Sequence, residues 1–94
     1  MVLVIMEAQV PQGKWGDLKN AFAHALKNRL DGVISSLLTQ DIHDRNLWRI
    51  STIWESHEIA MARYDADETM PSMYAFHLIG IVPDIIITDI VAQA

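Results

Sequence analysis

The hydrophobic pattern of this chain switches between a period of two and a period of 3.6 along its 94 residues, and the order of the switches leaves few folds open. Val2 to Val10 is rich in β-branched residues, with Val2, Val4, Met6, Ala8 and Val10 on one face and Leu3, Ile5, Glu7 and Gln9 on the other. Pro11, Gln12 and Gly13 end that strand. From Lys14 to about Arg29, Trp15, Leu18, Phe22, Ala25 and Leu26 recur at spacings of three and four, which predicts an amphipathic helix closed by the Asp31-Gly32 turn. Val33 to Gln40 and Leu47 to Glu55 read as strands joined by the polar loop His43-Asp44-Arg45-Asn46. In the second of them Trp48, Ile50, Thr52 and Trp54 alternate with Arg49, Ser51 and Ile53. Ser56 suits an N-cap, with Glu58 in the first turn of a helix running to about Tyr64. Asp65-Ala66-Asp67-Glu68 is an acidic break, Pro71 opens a second helical piece over about Ser72 to Leu78, and Asp84 to Ala92 forms the last strand. The order β-α-β-β-α-β predicts one domain over residues 1–94 of the α+β, ferredoxin-like class. Its four-stranded antiparallel sheet carries the helices on one face.

That architecture makes the composition a geometric problem. Hydrophobic residues make up 51% of the chain and charged residues 20%, below the roughly 25% that is usual. A sheet with one wet face should alternate cleanly. Here the first and last strands are apolar on both faces: Val2, Val4 and Met6 against Leu3 and Ile5, and Ile85 and Ile87 against Ile86 and Ile90. Left in water, the second face would exceed the few hundred Å² of apolar patch that monomers usually carry. The expectation is a homodimer in which two sheets pack face to face about a two-fold axis, forming a dimeric α+β barrel. Leu3, Ile5, Glu7 and Arg49 lie on the predicted dimer face, where Glu7 and Arg49 can pair across the first and third strands. Gln9 and Glu55 share their strand parity.

Several function classes are disfavoured. The absence of cysteine excludes a disulfide scaffold and a cysteine zinc site. Seven Lys and Arg against twelve Asp and Glu give a net charge of −5 without a basic stripe, which argues against nucleic acid as a partner. The apolar run from Leu78 to Ile90 is broken by Pro83, Asp84 and Asp89, so no membrane span is expected. Residues 1–6 lack a positive flank and read as a strand, so the expected location is the cytoplasm. His24, His43 and His57 make no metal-binding spacing, and neither a phosphate loop nor a Gly-x-Ser-x-Gly elbow occurs.

The run Leu47-Trp48-Arg49-Ile50-Ser51-Thr52-Ile53-Trp54-Glu55-Ser56, leading into His57-Glu58-Ile59-Ala60, resembles the antibiotic biosynthesis monooxygenase family of dimeric α+β barrels. There too a strand ending in Trp-Glu-Ser runs straight into the second helix. The opening strand, the helix from Gly13 to Leu30 and Asp31-Gly32-Val33 extend the resemblance over nearly the whole element order. It implies a homodimer with a pocket in each protomer between sheet and helices. Some members oxygenate quinol-like or polyketide aromatics with no metal or flavin cofactor, and others degrade haem. The haem-degrading branch uses an Asn near the end of the first strand and a Trp and a His on the second helical segment. At the corresponding places this chain has Glu7-Ala8-Gln9, then Tyr64, and Tyr74 or His77, so haem degradation is not the expectation.

The residues that chemistry would draw on are few. His77, with Tyr74 three residues before it on the same helical piece, could take a proton from a phenol; a His packed at a helix-sheet boundary is the plainer reading. Tyr64 and Tyr74 could hydrogen-bond an aromatic substrate or serve as packing residues with wet hydroxyls. Trp54, Phe22, Met73 and Phe76 are candidates to line an apolar pocket for a small aromatic molecule. The leading functional reading is therefore a small-molecule pocket protein resembling cofactor-independent monooxygenases. The alternative is a non-enzymatic dimeric ligand-binding or structural module, and a transcription-linked effector domain is a weaker third.

Overall fold

Alternation in the first strand decides the layering. The structure, a computed structural model, describes residues 1–27, 31–65 and 71–94, and the side chains of all these except 63–65 and 71–73. Strand β1 (Val2–Gln9) buries Val2, Val4 and Met6 and leaves Leu3, Ile5 and Glu7 half-covered on its other face. β3 (Leu47–Trp54) repeats the rule, with Trp48, Ile50, Thr52 and Trp54 buried. The two pair antiparallel, Val2 opposite Trp54 and Ala8 opposite Trp48, so their apolar faces coincide. β2 (Val33–Gln40) and β4 (Asp84–Asp89) flank them, in the order β2-β3-β1-β4, every pairing antiparallel. This is the ferredoxin-like α+β architecture that the element order predicts.

After β1, Pro11 is extended and Gln12–Lys14 make a 3₁₀ turn into α1 (Trp15–Lys27). The Trp15 indole donates to the Val10 carbonyl at 2.9 Å and fixes that entry. α1 packs mainly on α3 (Pro71–Leu78) through Leu18, Ala21 and Ala25. Leu26, expected on the buried stripe, is exposed instead. Ala21 is buried on that helix instead.

α2 (His57–Asp65) begins where β3 ends, and the Ser56 hydroxyl accepts the Ile59 N–H at 3.1 Å, the N-cap role predicted for it. Gly32 sits at φ 95°, and a Cβ built there would lie 2.5 Å from Ile59 Cγ2. A side chain is therefore excluded by both backbone conformation and space. The Gly32 carbonyl also accepts the Glu55 N–H at 2.8 Å, tying the start of β2 to the end of β3. The acidic break at 66–68 lies outside the described residues.

The core fills the space between sheet and helices: Met6, Ile50, Trp54, Leu18, Ala60, Ala75 and Phe76 form one cluster. The apolar surplus is distributed differently from the expectation, which placed it on the outward face. Ile85 lies opposite Met6 and Ile87 opposite Val4, so both share the helix-side face. They are nevertheless 39% and 44% exposed. The helices make their main sheet contacts with β2 and β3 and leave this edge strand open. Only Ile86, opposite Ile5, joins Leu3 and Ile5 on the outward face. The strand also stops at Asp89, short of the predicted Ala92, and Ile90 is held by one backbone bond to the Met1 carbonyl.

Candidate functional site

Two buried groups stand out because the apolar interior gives them nothing to bond. Trp48 and Trp54 are 4% and 1% exposed, and the indole N–H of each has no hydrogen-bond partner among the described residues. An orphaned buried donor costs on the order of 1–3 kcal/mol, so its presence asks for an explanation. Both stand on the helix-side face of β3. Between them, Thr52 and Ser36 of β2 face each other, hydroxyl to hydroxyl, at 3.0 Å.

Two cavities among the described residues have room for a ligand. One, of about 380 Å³, lies between the first turn of α2 and the exposed edge strand, lined by Val2, His57, Glu58, Ile87, Thr88 and Asp89. The other, about 520 Å³, is a groove along α1 and the end of α3, lined by Lys14, Asp17, Asn20, Ala21, His24, Leu78 and Ile79. There Lys14 Nζ donates to the Ile79 carbonyl at 2.7 Å. The residues singled out in the sequence gather around neither. His77 is exposed on α3. Tyr74, also exposed, has its ring 6.4 Å from that of His24. Trp54 and Phe76 are core residues, and Phe22 is half-buried against that core. The side chains of Tyr64 and Met73 lie outside the described ones. His57 and the acids beside it were invisible as a site because residues 2, 57–58 and 87–89 meet only through the sheet register.

The outward face carries the strongest electrostatic feature. Arg49 Nε donates to Glu7 Oε2 at 2.9 Å, and its Nη1 donates to Asp41 Oδ1 at 3.1 Å. Glu7 and Arg49 pair as the strand parity predicted. Gln9 and Glu55 do not join them: Gln9 donates to Asp44 at 2.7 Å, and Glu55 lies beyond the strand end. Asp41 takes the third place because it also builds the loop, its Oδ2 accepting the backbone N–H groups of His43 and Asp44 at 3.0 and 2.8 Å. Those bonds, with the one from Arg49, hold the Asp41 carboxyl below its usual value, and the two carboxylates push the Arg49 guanidinium up. Among the described residues no group of three His, Asp or Glu side chains is placed to hold a metal, and no helix is long and apolar enough to cross a membrane.

A family model, antibiotic biosynthesis monooxygenase, matches residues 1–73. No curated protein matches the sequence. Among solved structures, the haem degrader MhuD of Mycobacterium tuberculosis, with two haems in its active site, is similar at 21% identity and a TM-score of 0.76, covering 100% of this chain and 99% of that one. A structure from Bordetella bronchiseptica carrying the family's name has 20% identity and a TM-score of 0.73, covering 97% of each chain. One from Deinococcus radiodurans has 16% identity and a TM-score of 0.72, covering 100% of this chain and 96% of that one.

Proposed function

The chain belongs to the antibiotic biosynthesis monooxygenase family, and on that premise we propose that it is a homodimeric pocket protein oxygenating a reduced, quinol-like or polycyclic aromatic without metal or flavin. The observation that carries this reading is the pair of orphaned indole N–H groups in a largely apolar interior. Such donors suit a flat, largely apolar ligand bearing a few oxygen acceptors. In chemistry of this kind a base removes a proton from the activated ring system, and the carbanion passes an electron to dioxygen. For an anthrone the balance is a CH₂ group plus O₂ giving a carbonyl plus water. The protein's part is the base and a water-poor cavity.

The test is oxygen uptake with a panel of anthrols and quinols. Turnover of one or more is expected. No uptake across the panel, with binding intact, would reduce the chain to a binding module. His77, Tyr74 and Tyr64 are the bases and hydrogen-bonding groups that the sequence offers. Because His77 and Tyr74 are exposed, His77→Ala is decisive for that assignment: unchanged turnover removes it.

The homodimer rests on the outward face, where Leu3, Ile5, Ile86 and the 61% exposed Leu37 surround the Glu7–Arg49 pair. Sedimentation at micromolar concentration should give a dimer, and Leu37→Asp should shift it toward monomer. A wild-type monomer under those conditions would overturn the packing.

A further inference from the structure

The groove along α1 and the end of α3 holds two opposite charges that do not pair. Lys14, in the 3₁₀ turn, and Asp17, in the first turn of α1, both line it. Opposite charges three residues apart at a helix commonly meet. Among the described residues no ion pair joins these two, because Lys14 Nζ is drawn to the end of α3 and donates to the Ile79 carbonyl at 2.7 Å. Next to that carbonyl, Gly80 turns the chain at φ 76°, and a Cβ there would stand 3.7 Å from Nζ. With no side chain at 80, the ammonium stays open to approach, and it has N–H groups beyond the one given to Ile79. Asp17 and Asn20 make no side-chain hydrogen bond among the described residues. Beside these polar groups the groove is apolar: Leu78 is 53% exposed, and the buried side chains of Ala21 and Ile79 floor it.

We propose that this groove binds an apolar α-amino acid as its zwitterion. The ligand carboxylate accepts from Lys14 Nζ, its ammonium donates to Asp17 and to the Asn20 amide oxygen, and its side chain lies over Ala21, Leu78 and Ile79. Charge complementarity selects this class. A simple anion meets Asp17 and a chain of net charge −5, and a simple cation meets Lys14. A ligand carrying both signs close together meets neither penalty. Because Ile79 already holds Lys14, little side-chain freedom is lost when the carboxylate arrives. The volume of about 520 Å³ falls within the roughly 300–1,000 Å³ of small-molecule sites. No strand residue lines the groove, so the site is separate from the interior between sheet and helices. It goes beyond the oxygenase reading and stands whether or not the chain oxygenates an aromatic.

The probe is L-leucine, and two relatives each lack one of its charges: 3-methylbutylamine has no carboxylate and 4-methylpentanoate no ammonium. All three are titrated at neutral pH and fixed ionic strength into the wild-type protein, with backbone amide shifts followed by nuclear magnetic resonance. Leucine should bind about fivefold more tightly than either relative, the worth of one good exposed ion pair. Glycine, with both charges and no side chain, should bind more weakly than leucine. The amides that move should be those of residues 14–24 and 78–80. Asp17→Asn, at an exposed position, should erase the advantage of leucine over 4-methylpentanoate and keep its advantage over 3-methylbutylamine. Lys14→Met should do the reverse. Leucine binding no tighter than both relatives, or moving amides away from α1 and the end of α3, overturns the site. So does an advantage over 4-methylpentanoate that survives in Asp17→Asn. If Lys14→Met loosens the end of α3, Asp17→Asn decides alone.

Discussion

β3 and β4 are both apolar strands paired antiparallel with their neighbours, yet β3 buries alternate residues completely while every residue of β4 is exposed. Ile50 and Ile87 differ little in chemistry and both face the helix layer, but Ile50 is fully buried and Ile87 nearly half open. Position within the sheet makes the difference. β3 has a strand on each side and helices above, whereas β4 is an edge strand away from the main helix contacts. Apolar sequence thus marks surface that wants covering, and only the fold tells which part the chain covers by itself. On β4 both faces stay open, with Ile85 and Ile87 on the helix side and Ile86 on the outward side.

The comparison breaks most plainly on truncation of matched isoleucines. Ile50→Ala removes side-chain atoms from a fully packed site and should cost about 2–5 kcal/mol in urea unfolding, a large share of the roughly 5–15 kcal/mol that holds such a domain together. Ile87→Ala should cost under about 1 kcal/mol, because much of that side chain is already in water. Similar losses at the two positions would mean that β4 is covered in solution by a contact within the same chain.

A second substitution probes the packed end of β3. Gly32→Ala meets a positive φ, worth about 1–2 kcal/mol, and drives its methyl into the branched side chain of Ile59. With overpacking of about 1–3 kcal/mol added, the expected loss is roughly 2–5 kcal/mol. Ile59→Ala in the same chain should return the overpacking part and leave the backbone part, so the pair is non-additive. Additive losses would show that the Gly32–Ile59 approach is not what demands glycine.

Much of this was legible because the period of the sequence records which face is buried wherever both neighbours are present. The limits of β2, the start of β3, the polar hairpin loop, the Ser56 cap and the Glu7–Arg49 pair all follow from spacing or parity. Periodicity is silent on how far a helix reaches across a sheet. For that reason the surplus was assigned wholly to the outward face, although Ile85 and Ile87 are on the other. Nor does spacing say which donors find acceptors: Trp15 and Trp48 are both amphipathic aromatics, but only Trp15 reaches a carbonyl. Asp41 was overlooked as a partner of Arg49 because loop geometry, not strand parity, brings it there.

The smallest effect expected lies on the outward face, where β3 keeps a polar anchor that β4 lacks. Asp41 holds the loop before β3 by accepting two backbone N–H groups and Arg49, and these bonds lower its carboxyl from the usual 3.8. A depressed carboxyl stabilises the folded state above its unfolded value, and the contribution is lost as pH falls through the lower folded one. The loop should therefore stay closed at neutral pH and open only as the lowered carboxyl is protonated, with Arg49 charged throughout. Because the carboxylate is at the surface, salt should weaken the effect. Amide shifts of His43 and Asp44, followed by nuclear magnetic resonance as acid is added, should titrate together with a midpoint below 3.8. In Asp41→Ala the same amides should be open at neutral pH and show no such step. A wild-type midpoint at or above 3.8 would mean that the loop is held by its other bonds, Leu47 to Asp44 and Gln9 to Asp44, and that the ion pair to β3 only decorates it.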